Sequence, residues 1–81
     1  MKACFLLSDG QTRLTVTDGR PRPSLTVEGP HGEDRVVTYG ILDGDSFIYP
    51  NGARFHWDDE KAWWTGKAVS VGITAHRVDC G

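Results

Sequence analysis

The sequence predicts an all-β domain: a small antiparallel meander of roughly six to seven strands forming a barrel or sandwich, with one short helical turn near residues 59–64. Three observations carry this expectation. Four dipeptides suited to turns with positive φ, namely Asp9-Gly10, Asp18-Gly19, Asp43-Gly44 and Asn51-Gly52, punctuate only 81 residues, and such pairs connect antiparallel strands. Between them the chain is rich in β-branched residues and alternates apolar with polar, the period of a strand with one wet face. The length suits a single small β domain, residues 1–81, with one modest core and no room for a deep cleft between separate layers.

ACFLL, near the start, is too uniformly apolar to show a face, as expected of a strand covered on both sides or lying at a seam. QTRLTVTD sets Leu14 and Val16 against Thr15 and Thr17, and SLTVE repeats the pattern with Leu25 and Val27. DRVVTYGI places Val37, Tyr39 and Ile41 on one apolar face. DSFIYP does the same for Phe47 and Tyr49, and GARFHW for Ala53, Phe55 and Trp57. The last run, AVSVGITAHRV, puts Val69, Val71, Ile73 and Ala75 opposite Ser70, Gly72, Thr74 and His76.

Two connectors stand apart. RPRPS, residues 20–24, cannot occupy a central strand, because both prolines lack an amide donor; it reads as a stiff, exposed loop. EGPHGED, residues 28–34, is a second polar loop, and neither has the strand-to-helix setting of a phosphate-binding glycine loop. The helical turn is expected after Asp58, a cap residue followed by acids where a helix dipole favours them, with Gly66 as a stop. The competing reading makes WDDEK a hairpin loop and starts the last strand at KAWWTG.

Nine Lys and Arg face eleven Asp and Glu, so the composition offers no basic stripe for phosphate neutralisation. No apolar run approaches the length of a membrane span, and MKACFLLSDG is too short in apolar residues for a signal peptide. These features, with Cys4 and Cys80 read as free thiols, point to a cytoplasmic chain; a disulfide between them is the alternative if the first and last strands are neighbours. His76 and Cys80 are two potential metal ligands, which do not make a site, so no metal or cofactor is expected.

HWDDEKAWWTGK contains every tryptophan of the chain around an acidic triplet. Trp57 shares the parity of Phe55 and belongs in the core. Adjacent Trp63 and Trp64 cannot both enter one core, because neighbouring side chains diverge by about 100° on a helix and about 180° on a strand. One of them is expected to face outward, and Trp is enriched among interface hot spots. Asp58, Asp59 and Glu60 lack the contrasting environments that separate the pKa values of catalytic carboxylates, so they read as a cap and a charged rim that would steer a basic partner. No serine or cysteine has a spacing that marks a nucleophile. If the strands carrying His56 and His76 are adjacent, the two rings meet on one outer face.

The functional expectation is a non-catalytic protein-binding module, a small intracellular inhibitor or adaptor of the kind that includes phage-encoded proteins. Its contact residues would be Trp63, Trp64, Asp58, Asp59 and Glu60, its partner a protein with a basic patch, and an edge strand could pair two copies as a homodimer. The rival reading is a single-stranded nucleic-acid binder of the OB or SH3-like kind, stacking bases on Tyr39, Phe47, Tyr49 and the tryptophans and using Arg13, Arg35, Arg54 and Arg77 for phosphates. A small metal-dependent or His-dependent enzyme is the third.

Overall fold

The computed structural model describes residues 1–66 and 73–81. Nine strands are present among them: β1 (Lys2–Leu7), β2 (Arg13–Thr17), β3 (Ser24–Glu28), β4 (Val36–Tyr39), β5 (Ile41–Leu42), β6 (Ser46–Ile48), β7 (Arg54–Trp57), β8 (Lys61–Thr65) and β9 (Thr74–Val78). All pairings are antiparallel, and the single sheet runs in the order β4-β3-β2-β1-β9-β8-β7-β6-β5. No helix of the described residues is long and apolar enough to cross a membrane.

Laid flat, nine strands would span about 38 Å at roughly 4.8 Å per strand. The molecule measures 29 × 26 × 25 Å, so the sheet is curled on itself. Its two end strands, β4 and β5, are consecutive in the chain and separated only by Gly40. The curl therefore meets in one bent segment, without closing into the barrel expected from the turn pattern and without splitting into a two-sheet sandwich. Glycine is required at the bend because a Cβ at position 40 would overlap the Ile48 carbonyl oxygen and the Phe47 ring.

The inner face of the curl holds the core: Ala3, Phe5, Leu14, Val16, Leu25, Phe47, Phe55, Trp57, Ala62 and Ala75. Phe5 meets Phe55 edge-on at 5.1 Å between centroids, and Trp57 tilts against both rings. The alternation read for β2, β3, β6 and β7 matches this face. The face read for Val37, Tyr39 and Ile41 does not: all three are exposed, Ile41 at 63%. Tyr39 pairs with Ser24 and Val37 with Thr26, so both lie on the outer side, whereas Thr38 opposes the buried Leu25. β4 is an end strand with a neighbour on one side only, and apolar alternation there does not report the core. Val69 and Val71, expected on the inner side of the last strand, lie outside the described residues.

Three of the four predicted turns have glycine at positive φ: Gly10, Gly44 and Gly52. Each sits in a hairpin closed by backbone hydrogen bonds, for example Asp43 with Ser46 in both directions at 2.9 and 3.1 Å. Asp18-Gly19 instead opens the longer, proline-containing connection from β2 to β3.

The helical turn near residues 59–64 is not formed. Asp58 does accept backbone hydrogen bonds from Glu60 and Lys61, both at 2.8 Å, as a cap would. The same side-chain geometry also stabilises a tight turn, and here Asp58 N donates to the Lys61 carbonyl at 2.9 Å to close a two-residue hairpin. Residues 61–65 then pair with β7 on one side and β9 on the other. Two ladders and a half-buried face outweigh the weak local helix preference of EKA.

The free-thiol expectation is also overturned. Cys4 and Cys80 form a disulfide, with Cα atoms 5.2 Å apart across 76 residues of sequence. β9 pairs directly with β1, Val78 opposite Cys4, and this adjacency delivers Cys80 to the buried Cys4 sulfur.

Candidate functional site

The β7–β8 hairpin decides the fate of the tryptophan pair. In its register Phe55 opposes Trp64 and His56 opposes Trp63, so the two indoles leave the sheet on opposite sides. Trp64 turns inward, where its ring lies 4.7 Å from Phe55 and its Nε1 donates to the Tyr49 hydroxyl at 3.0 Å. Burial raises the Tyr49 pKa, and the Trp64 hydrogen bond offsets part of that shift. Trp63 is on the outer face, half-buried against the His56 ring at 5.7 Å and 20° between planes.

His56 is itself clamped. Its Nδ1 lies 2.8 Å from the Ser46 hydroxyl and its Nε2 2.7 Å from the Thr65 hydroxyl. Ser46, His56, Trp63 and Thr74 form one row across β6, β7, β8 and β9. Cross-strand neighbours of this kind are the unit of sheet stabilisation, and with both ring nitrogens engaged the imidazole presents a fixed plane to Trp63. Ser46 and Thr65 were not singled out from the sequence. Their signal lay in the hairpin registers, which a local reading does not supply.

The acidic triplet caps the hairpin. Asp58, Asp59 and Glu60 are all exposed at its tip, and the Arg77 backbone amide donates to the Glu60 carbonyl at 2.7 Å. Trp63 lies three residues further along β8, about 10 Å at strand rise, and Lys61 stands between on the same outer side. The acids thus form a rim beyond one end of the aromatic row and do not surround it. The Asp58 carboxyl is held below the ordinary aspartate range, first by the Lys61 amide and then by that of Glu60. A carboxyl whose folded pKa is depressed adds stability above its unfolded pKa and loses it as pH falls through the folded value. A carbon-13 titration of Asp58 is accordingly expected to show a midpoint below that of unfolded aspartate, with the turn loosening in acid below about pH 4; a midpoint at or above the unfolded value would mean the turn bonds are not made in solution.

No family model, curated protein or solved structure matches this chain. The residues themselves are the ground for any functional reading.

Several expected groupings are separated by the fold. His56 and His76 do not meet, because β8 lies between β7 and β9; His76 opposes Lys61 instead. Among the described residues no three His, Cys, Asp or Glu side chains come together to hold a metal ion, and the Cys80 sulfur is in the disulfide. Of the aromatics considered for base stacking, Phe47 is fully buried and Tyr49 packs against it edge-on at 5.3 Å. Arg54 is paired with Asp43 at 3.4 Å, and the Arg77 guanidinium lies 5.6 Å from the Phe5 ring centroid. Tyr39 and Arg35 remain exposed, on the half of the sheet away from Trp63.

Proposed function

We propose that the protein is a non-catalytic binding module that occupies a surface on another protein through Trp63, with Asp58, Asp59 and Glu60 facing basic residues of that partner. The observation that supports this reading is the outward Trp63, braced by an imidazole whose own orientation is held by two hydroxyls. A rigid aromatic anchor loses little conformational freedom on binding, which favours affinity. Rim acids act mainly by steering association and making its rate sensitive to salt. Trp64 supports the hairpin from the inside and is a positioning residue in this scheme.

The disulfide bears on the compartment. Disulfides persist in oxidising surroundings and are rare in reducing ones, so Cys4–Cys80 favours an oxidising compartment over the cytoplasmic setting expected from free thiols.

Affinity purification from the native host, followed by quantitative binding of the co-purifying protein, tests the reading. Trp63→Ala is expected to weaken that partner by about 30-fold, the equivalent of roughly 2 kcal/mol, while the variant melts close to wild type. Trp64→Ala should chiefly lower stability. Full retention of the partner by folded Trp63→Ala protein would refute the anchor.

A further inference from the structure

The outer surface of β1 to β4 carries a second feature, unrelated to Trp63. Two rows of side chains cross these four strands: Lys2, Thr17, Ser24 and Tyr39 in one, Cys4, Thr15, Thr26 and Val37 in the other. Of these, Thr15, Thr17, Ser24, Thr26 and Tyr39 floor a groove of about 340 Å³ with hydroxyl groups, and Thr17 Oγ1 lies 3.2 Å from Ser24 Oγ. Lys2, Arg20, Arg22 and Arg35 line its walls, with Glu28 as the single acid. Four of the nine cationic side chains of a chain with net charge −2 therefore meet in one place.

These cations are exposed, and among the described residues none forms an ion pair with a carboxylate; the two ion pairs present involve the Met1 amine and Arg54. Arg20 and Arg22 are carried on a connection stiffened by Pro21 and Pro23, so they are held beside the groove without being neutralised. Tyr39, 46% exposed, stands in the hydroxyl row with no part in the core. A merely solvated sheet face would be expected to mix its charges and keep its aromatic rings covered. Here cations at the walls, hydroxyls on the floor and an open aromatic ring at one side are the three elements that grip a phosphate backbone and stack a base.

We propose that this groove binds single-stranded nucleic acid, with Lys2, Arg20, Arg22 and Arg35 against phosphates and Tyr39 under a base. The charge balance of the whole chain concealed the site, because five of the eleven acids lie at the β5–β6 and β7–β8 hairpin tips, on the other half of the sheet. The groove is independent of the Trp63 row, and either surface can fail without the other.

The test is fluorescence anisotropy with a labelled oligothymidylate of about 12 nucleotides, a length within the usual site sizes of small β domains, titrated from about 50 to 200 mM salt. Four phosphate contacts predict a slope near −3 for log affinity against log salt, and Arg20→Gln with Arg22→Gln should roughly halve that slope and weaken binding at least tenfold at the lower salt. Arg35→Gln, at the other end of the groove, should weaken binding in the same direction, and Tyr39→Ala should cost about tenfold. Arg54→Gln removes the same charge from the opposite half of the sheet and should leave affinity unchanged. Thermal melts of each variant separate lost contacts from lost fold. No binding at about 50 mM salt would overturn the proposal, as would equal binding by the Arg20 and Arg22 double variant. If heparin or inorganic polyphosphate binds more tightly than the oligonucleotide and Tyr39→Ala has no effect, the groove takes a base-free polyanion and the nucleic-acid assignment is wrong.

Discussion

Reduction of the Cys4–Cys80 disulfide is expected to lower the unfolding free energy by about 4 kcal/mol. The crosslink joins residues 76 apart, nearly the whole chain, and the loop-closure entropy it removes from the unfolded state grows with loop length. A domain of this size is stable by about 4–12 kcal/mol, so reduction would remove a third or more of its stability. Urea titrations with and without reductant measure the effect. The midpoint should fall and the slope should rise, because an uncrosslinked unfolded chain exposes more surface. The paired variant Cys4→Ser with Cys80→Ser should fall at least as far, since it also places a hydroxyl at the buried position of Cys4. An unchanged midpoint on full reduction would show that β1 and β9 are held by their ladder alone.

Phe55→Ala should cost about 3–5 kcal/mol by itself. Phe55 is fully buried and is the hub of the aromatic cluster, 5.1 Å from Phe5, 5.9 Å from Trp57 and 4.7 Å from Trp64. Its loss removes the hydrophobic transfer of a large side chain and leaves a cavity between two halves of a curled sheet that cannot close further. Phe55→Leu keeps much of the volume and should cost clearly less. Chemical denaturation of both variants with the disulfide intact checks the order. Phe5→Ala combined with Phe55→Ala should be less costly than the two losses added, because the second truncation enlarges a cavity already made. If Phe55→Ala unfolds at the wild-type denaturant concentration, the core described above does not hold the sheet in its curl.

The proposed surfaces differ in how far local sequence reveals them. Divergence of Trp63 and Trp64 follows from adjacency alone, whichever secondary structure forms. Which of the two faces outward depends on register: Trp64 goes inside because it opposes Phe55 across the β7–β8 ladder. The His56 clamp was hidden for the same reason, since Ser46 and Thr65 reach one imidazole from ten and nine residues away along the chain. The cationic groove is more distant still. Lys2, Arg20, Arg22 and Arg35 come from the first strand, the β2–β3 connection and the residue before β4, and no window of sequence contains them all.

Two misreadings have one physical origin. The alternation of Val37, Tyr39 and Ile41 resembles a core face, yet β4 and β5 lie at the two ends of the sheet and all three side chains are exposed. Asp58 satisfies two amides in the way an N-cap does, yet it closes a hairpin. In both cases the local chemistry is compatible with two structures. The choice between them depends on which strands lie alongside.

By itself the sequence determined the all-β class, the positions of most turns, the inward faces of β2, β3, β6 and β7, the core place of Trp57 and the forced divergence of the tryptophan pair. These are properties of residue type and of a period of two, which act over a few residues. Only the tertiary structure decided the strand order, the bend at Gly40, the disulfide, the outward side of Trp63 and the gathering of four cations over a hydroxyl floor. Those depend on pairing between distant segments, above all β1 with β9, and the free energy of such pairing belongs to the whole sheet and to no single stretch of the chain.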